Sequence, residues 1–142
     1  MKDRVLFICV HNSARSQMAE EYLKKLGGDR FEAESAGYKP TQINPLVVQV
    51  MKEEGIDLSS KETRSAYDLI KNSKLFGYII TVCRRESEDE CPVFPGLAKK
   101  LHWELENPED YTGTEEENLE RLRVLRDKIK ALVADFIANE AK

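Results

Sequence analysis

The sequence predicts an α/β fold, a three-layer sandwich built on a central, mainly parallel sheet. Three observations carry that expectation. Apolar runs of strand character occur at residues 4–9, 31–35 and 77–83. Stretches of helical period lie between and beyond them, and the junctions carry turn and cap residues that fit neither period. Strands alternating with helices favour parallel pairing through right-handed crossovers.

Residues 4–9 are apolar and aromatic and end in polar and small residues, as a central strand feeding a turn does. From Ser13 onward Met18, Ala19, Tyr22, Leu23 and Leu26 recur at helical spacing, and Gly27 and Gly28 supply a stop. Residues 31–35 form a second strand closed by Ala36 and Gly37. Asn44 caps and Pro45 opens a second helix carrying Val47, Val48, Val50 and Met51, with Gly55 as its stop. Residues 59–74 are polar with scattered apolar positions, which suits a loop and a short helix. Residues 77–83 read as a strand, and the charged run 84–90 between Cys83 and Cys91, followed by Pro92 and Pro95, reads as an exposed loop. Thr114 and Glu117 form a capping box. Behind it Leu119, Leu122, Leu125, Ile129, Leu132, Val133, Phe136 and Ile137 line one face of the last helix.

The length of 142 residues suits a single domain over 1–142, with a core large enough to need no disulfide or structural metal. A chain that is 41% hydrophobic and 34% charged is neither disordered nor membrane-spanning in character, and a net charge of -4 gives no general attraction to nucleic acid. No apolar stretch approaches the roughly 20 residues that cross a bilayer, and the amino-terminal run lacks a cleavage site, so a cytoplasmic location is expected. Three cysteines make an odd number. That argues against a secreted disulfide framework and leaves a reactive thiol, a redox set or plain packing.

The chemistry concentrates between the first strand and the first helix, in Cys9, Val10, His11, Asn12, Ser13, Ala14, Arg15 and Ser16. Backbone N–H groups of a strand-to-helix loop converge on an anion, and the helix amino terminus adds positive potential. Arg15 brings a planar, bidentate donor suited to a tetrahedral oxyanion. The same potential favours thiolate at Cys9, and Ser16 can donate a hydrogen bond to the sulfur. One loop thus binds the anion and activates its attacker. Buried packing is the commoner fate of a strand cysteine, but the neighbouring Arg15 and Ser16 favour the nucleophile. Asn12 suits a left-handed turn and His11 a lining role rather than a Cys–His dyad. Cys83, Cys91 and His102 are too loosely spaced, and lack a fourth ligand, to read as a zinc site.

The loop resembles that of the low-molecular-weight protein tyrosine phosphatase superfamily, specifically its thioredoxin-coupled arsenate reductases. The likeness runs through Glu34-Ser35-Ala36-Gly37, the stretch from Met51 to Asp57, Thr81-Val82-Cys83, Cys91-Pro92, His102-Trp103 and the stretch from Gly113 to Glu117. Their shared order and spacing are specific. The resemblance implies a four-stranded sheet and reduction of arsenate to arsenite, for arsenic detoxification, by a redox-active relay of Cys9, Cys83 and Cys91. In that relay Arg15 and Ser16 serve Cys9, the loop from Val10 to Arg15 holds the oxyanion, and thioredoxin or glutaredoxin is the reductant. It also implies a monomer with no tightly bound cofactor, save a potassium ion held by Asn12, Glu20 and Ser35.

The chain departs from the family pattern at two places, and the first is the loop of seven residues between Cys83 and Cys91, about one residue longer than the family's usual form. The family carries an acidic Asp before a Pro shortly after the Trp, whereas here Asn107 precedes Pro108 and cannot act as an acid. Glu106 and Asp110 are the nearby carboxylates. A tyrosine phosphatase would need that acid for its alkoxide leaving group, so its loss favours arsenate reduction over phosphatase action; a non-catalytic oxyanion- or partner-binding domain is the third reading.

Overall fold

The computed structural model describes residues 3–9, 14–37, 41–65, 68, 76–82, 98–106, 108 and 111–140. The first strand, β1 (Asp3–Cys9), is central, and its apolar run is explained by burial on both sides: Val5, Leu6, Phe7 and Ile8 are all inaccessible to solvent. β2 (Phe31–Gly37) pairs with one edge of β1, β3 (Tyr78–Thr81) with the other, and β4 (Lys99–His102) with β3. All three pairings are parallel, giving a four-stranded sheet in the order β2-β1-β3-β4.

Because successive side chains of a strand point to opposite faces, β1 serves two cores at once. Val5, Phe7 and Cys9 join the larger one, while Leu6 and Ile8 join Ala36 and Ile79 in the smaller. Helices α1 (Arg15–Gly27), α2 (Pro45–Lys52) and α3 (Glu115–Glu140) build the larger core. Their share includes Met18, Tyr22 and Leu23 from α1, Val47, Val50 and Met51 from α2, and Leu122, Ile129 and Val133 from α3, so the helical periods predict the buried faces correctly. Leu26 is the exception. It lies in the last turn of α1, beyond the sheet contact, and is 41% exposed.

The element boundaries follow local chemistry. The Asn44 side chain accepts from the Leu46 N–H at 2.9 Å and Pro45 stands at the first helical position, the start predicted for α2. Beyond α2 the Ile56 N–H returns to the Met51 carbonyl, a closure that requires the left-handed backbone of Gly55 (φ 78°). The sequence pattern does not reveal β4. Lys99 and Lys100 are exposed on this short edge strand, so it lacks the apolar run by which the inner strands announce themselves. The charged run 84–90 and most of the short helix expected in 59–74 lie outside the described residues. No helix among the described residues is long and apolar enough to cross a membrane.

Candidate active site

Ligands of parallel sheets gather at the carboxyl ends of strands, where successive connections leave in opposite directions. β1 is that place here, since its two neighbours are β2 on one side and β3 on the other. Cys9 is its last residue, pairs in register with Gly37 and is 2% exposed. After the loop, α1 opens with Arg15 and Ser16, both buried. The Cys9 Sγ and the Ser16 Oγ lie 2.9 Å apart. With Cys9 as thiolate, the hydroxyl is the donor.

Arg15 is held from the far edge of the sheet. Its Nη1 donates to the Leu105 carbonyl at 3.2 Å, across 90 residues of sequence. Leu105 is buried just beyond β4, and in the same segment Trp103 packs on Phe7 with ring centroids 5.6 Å apart. The Trp103 N–H meanwhile donates to the Thr81 carbonyl at 2.8 Å. Strand β1, the start of α1 and the exit of β4 thus meet around Cys9 and Arg15. α1 begins at Ala14 with no side-chain cap and no acidic residue in its first turn, so its own side chains do not neutralise its positive end. A thiol, a buried guanidinium and a helix amino terminus together suit attack on a tetrahedral oxyanion.

Of the residues expected around potassium, Glu20 and Ser35 do meet, the Ser35 hydroxyl donating to Glu20 Oε1 at 2.6 Å. The other carboxylate oxygen accepts from Lys24 Nζ at 2.6 Å and from Lys61 Nζ. Burial pushes the Glu20 carboxyl up, but hydrogen bonds from Lys24, Lys61 and Ser35 outweigh it and hold the group below the usual carboxylate range. A potassium ion needs oxygen lone pairs, whereas these oxygens already face a hydroxyl and two ammonium groups. Asn12, the third residue of that expectation, lies outside the described residues. The Lys24 contact has a sequence signal in its spacing of four from Glu20; the Lys61 contact spans 41 residues and has none.

At the position of the missing acid, Glu106 is exposed and accepts from the Tyr111 hydroxyl at 2.6 Å. Burial is the first cause that pushes the Tyr111 phenol up, with the Glu106 hydrogen bond adding to it. His102 bridges the neighbouring segment, its Nδ1 lying 2.7 Å from Thr81 Oγ1 and its Nε2 3.1 Å from Glu104. Val10, His11, Asn12, Ser13, Cys83, Cys91, Asn107 and Asp110 lie outside the described residues, while Ala14 is buried at the start of α1.

Comparison with known proteins gives a consistent picture. The family model for low molecular weight phosphotyrosine protein phosphatase matches residues 4–142. The arsenate reductase of Bacillus subtilis is 36% identical over 138 residues, covering 96% of each chain. A solved arsenate reductase in the phosphate-binding state superposes with a TM-score of 0.78 at 28% identity, covering 100% of both chains. The thioredoxin-dependent arsenate reductase Cg_ArsC1' of Corynebacterium glutamicum has a TM-score of 0.62 at 30% identity, over 94% of this chain and 62% of that one.

Proposed function

This chain belongs to the low molecular weight phosphotyrosine protein phosphatase family, and from that membership we propose that it is an arsenate reductase with Cys9 as its nucleophile. The observation that carries the reading is the Cys9 thiol 2.9 Å from the Ser16 hydroxyl at the end of the central strand, with Arg15 buried beside it. Relatives named arsenate reductase over nearly the whole chain favour reduction over hydrolysis, as do the two further cysteines, Cys83 and Cys91.

The Cys9 thiolate attacks the arsenic of arsenate, a sulfur–arsenic bond forms and one oxygen leaves as water after protonation. The Arg15 guanidinium balances the oxyanion charge. The Cys83 thiolate then attacks the Cys9 sulfur. A disulfide forms, the sulfur–arsenic electron pair stays on arsenic, and As(III) leaves as arsenite. Cys91 next displaces the Cys9 thiolate from Cys83, leaving a Cys83–Cys91 disulfide for a dithiol protein of the thioredoxin or glutaredoxin type, which returns two electrons. This chemistry belongs in a reducing compartment such as the cytoplasm, and a monomer suffices for it because one chain carries all three thiols.

Arsenate-dependent oxidation of thioredoxin tests the reading. Wild type is expected to turn over, Cys9→Ser to be inactive, and Cys83→Ser to stop after the first adduct. One turnover without reductant is expected to leave a Cys83–Cys91 disulfide in a mass-spectrometric map. Hydrolysis of an aryl phosphate that persists in Cys83→Ser, with no arsenate-dependent thioredoxin oxidation by wild type, would instead establish a phosphatase.

A further inference from the structure

We propose that the Lys61 ammonium is a built-in cation on the buried Glu20 carboxylate, beside Ser35, where the family resemblance puts potassium, so that this chain needs no ion there. Ser16, Glu20 and Lys24 are spaced four apart and share one face of α1, which puts the Glu20 carboxylate one turn below the hydroxyl that touches Cys9. Ser35, which holds its other oxygen, lies two residues before Gly37, the partner of Cys9 in the sheet. Glu20 therefore ties α1 to β2 directly behind the nucleophile.

At 1% exposure that carboxylate requires a positive partner, because a buried charge left alone is strongly destabilising. Two lysines reach it, and they differ in how they are held. Lys24 extends from the same helix with its side chain 48% exposed. Lys61 is 18% exposed and comes from a segment fastened along its length. Its own N–H donates to the carbonyl of the buried Leu58 at 3.1 Å. The Gln17 side chain donates to the Glu62 carbonyl at 3.2 Å, and the Gly37 N–H donates to the Arg64 carbonyl at 2.8 Å. The ammonium is thus delivered by a segment tied to β2 and to α1, and its high effective concentration excludes a free monovalent ion. The inference concerns the loop's foundation and stands whichever oxyanion the loop accepts.

Thermal melts of the purified chain in about 0.1 M potassium, sodium or choline chloride, at equal ionic strength, provide the test. Wild type is expected to melt at the same temperature in all three. Lys61→Gln, which vacates the position but keeps a carbonyl oxygen there, is expected to melt about 5 °C lower in choline and to recover only in potassium. Lys24→Gln is expected to show no such ion selectivity, and the double variant E20Q/K61M to be insensitive to the choice of cation. A wild-type melt raised by potassium relative to sodium would overturn the proposal, as would a Lys61→Gln protein that melts identically in the three salts. If Lys61→Gln does not fold in any salt, the wild-type comparison and the double variant decide the matter.

Discussion

Ser16 shows how much rests on one side chain. Its hydroxyl is fully buried and 2.9 Å from the Cys9 sulfur, so no water can take its place without rearrangement. Hydrogen bonds to charged groups contribute about 1.5–3 kcal/mol, and Ser16→Ala is therefore expected to lower kcat/KM for arsenate by about 10- to 100-fold. Steady-state kinetics on a variant whose melting temperature matches wild type checks this. Arg15 is not replaceable by Lys on the same reasoning. The Leu105 carbonyl orients a planar fork, and an ammonium cannot present two parallel donors to an oxyanion.

Among the elements, α3 is the best specified by its own residues. The Thr114 hydroxyl accepts from the Glu117 N–H at 3.1 Å, while Glu117 Oε1 accepts from the Thr114 N–H at 3.3 Å, a reciprocal box that closes the helix start. Thr114→Ala is expected to cost about 1 kcal/mol in urea unfolding, with activity at low denaturant unchanged. α1 is specified differently: its end at Gly27 is set by packing as well as by conformation. A Cβ on Gly27 would lie 2.6 Å from the Phe31 ring, so Gly27→Ala must displace the first residue of β2. A drop in melting temperature of about 5 °C is expected for it, measured by calorimetry. β4 depends on neither kind of signal and exists because β3 offers it an edge.

On the scale of the whole molecule, α2 and α3 are clamped by an ion-pair cluster centred on Glu53. Arg123 contacts it with Nε and Nη2, at 3.0 and 2.8 Å, and Arg126 donates to it at 2.9 Å. Arg126 also donates to the Val50 carbonyl at the end of α2, at 2.8 Å. Hydrogen bonds from Arg123 and then Arg126 hold the Glu53 carboxyl down at about 2, against an ordinary 4.5. A depressed carboxylate stabilises the fold fully above its ordinary value and loses that contribution as pH falls. The clamp is therefore expected to weaken between pH 4.5 and about 2. Acid titration followed by the fluorescence of Trp103 should show Glu53→Gln less stable than wild type at neutral pH and less sensitive to acid across that window.

Much of this molecule was legible in its residues. The inner strands, the helix faces and the caps follow from local periodicity and side-chain chemistry, and the Cys9, Arg15 and Ser16 grouping follows from eight residues of contiguous sequence. These are short-range properties, written where they act. Only the tertiary structure decided which partners arrive from afar: the Leu105 carbonyl on Arg15, the edge strand β4, and Lys61 on Glu20. Sequence spacing carries no record of such contacts, because chain reversals bring together residues that share neither period nor motif. Glu20 and Ser35, which the sequence could only group by resemblance, meet in the fold, and there the carboxylate also meets the ammonium groups of Lys24 and Lys61.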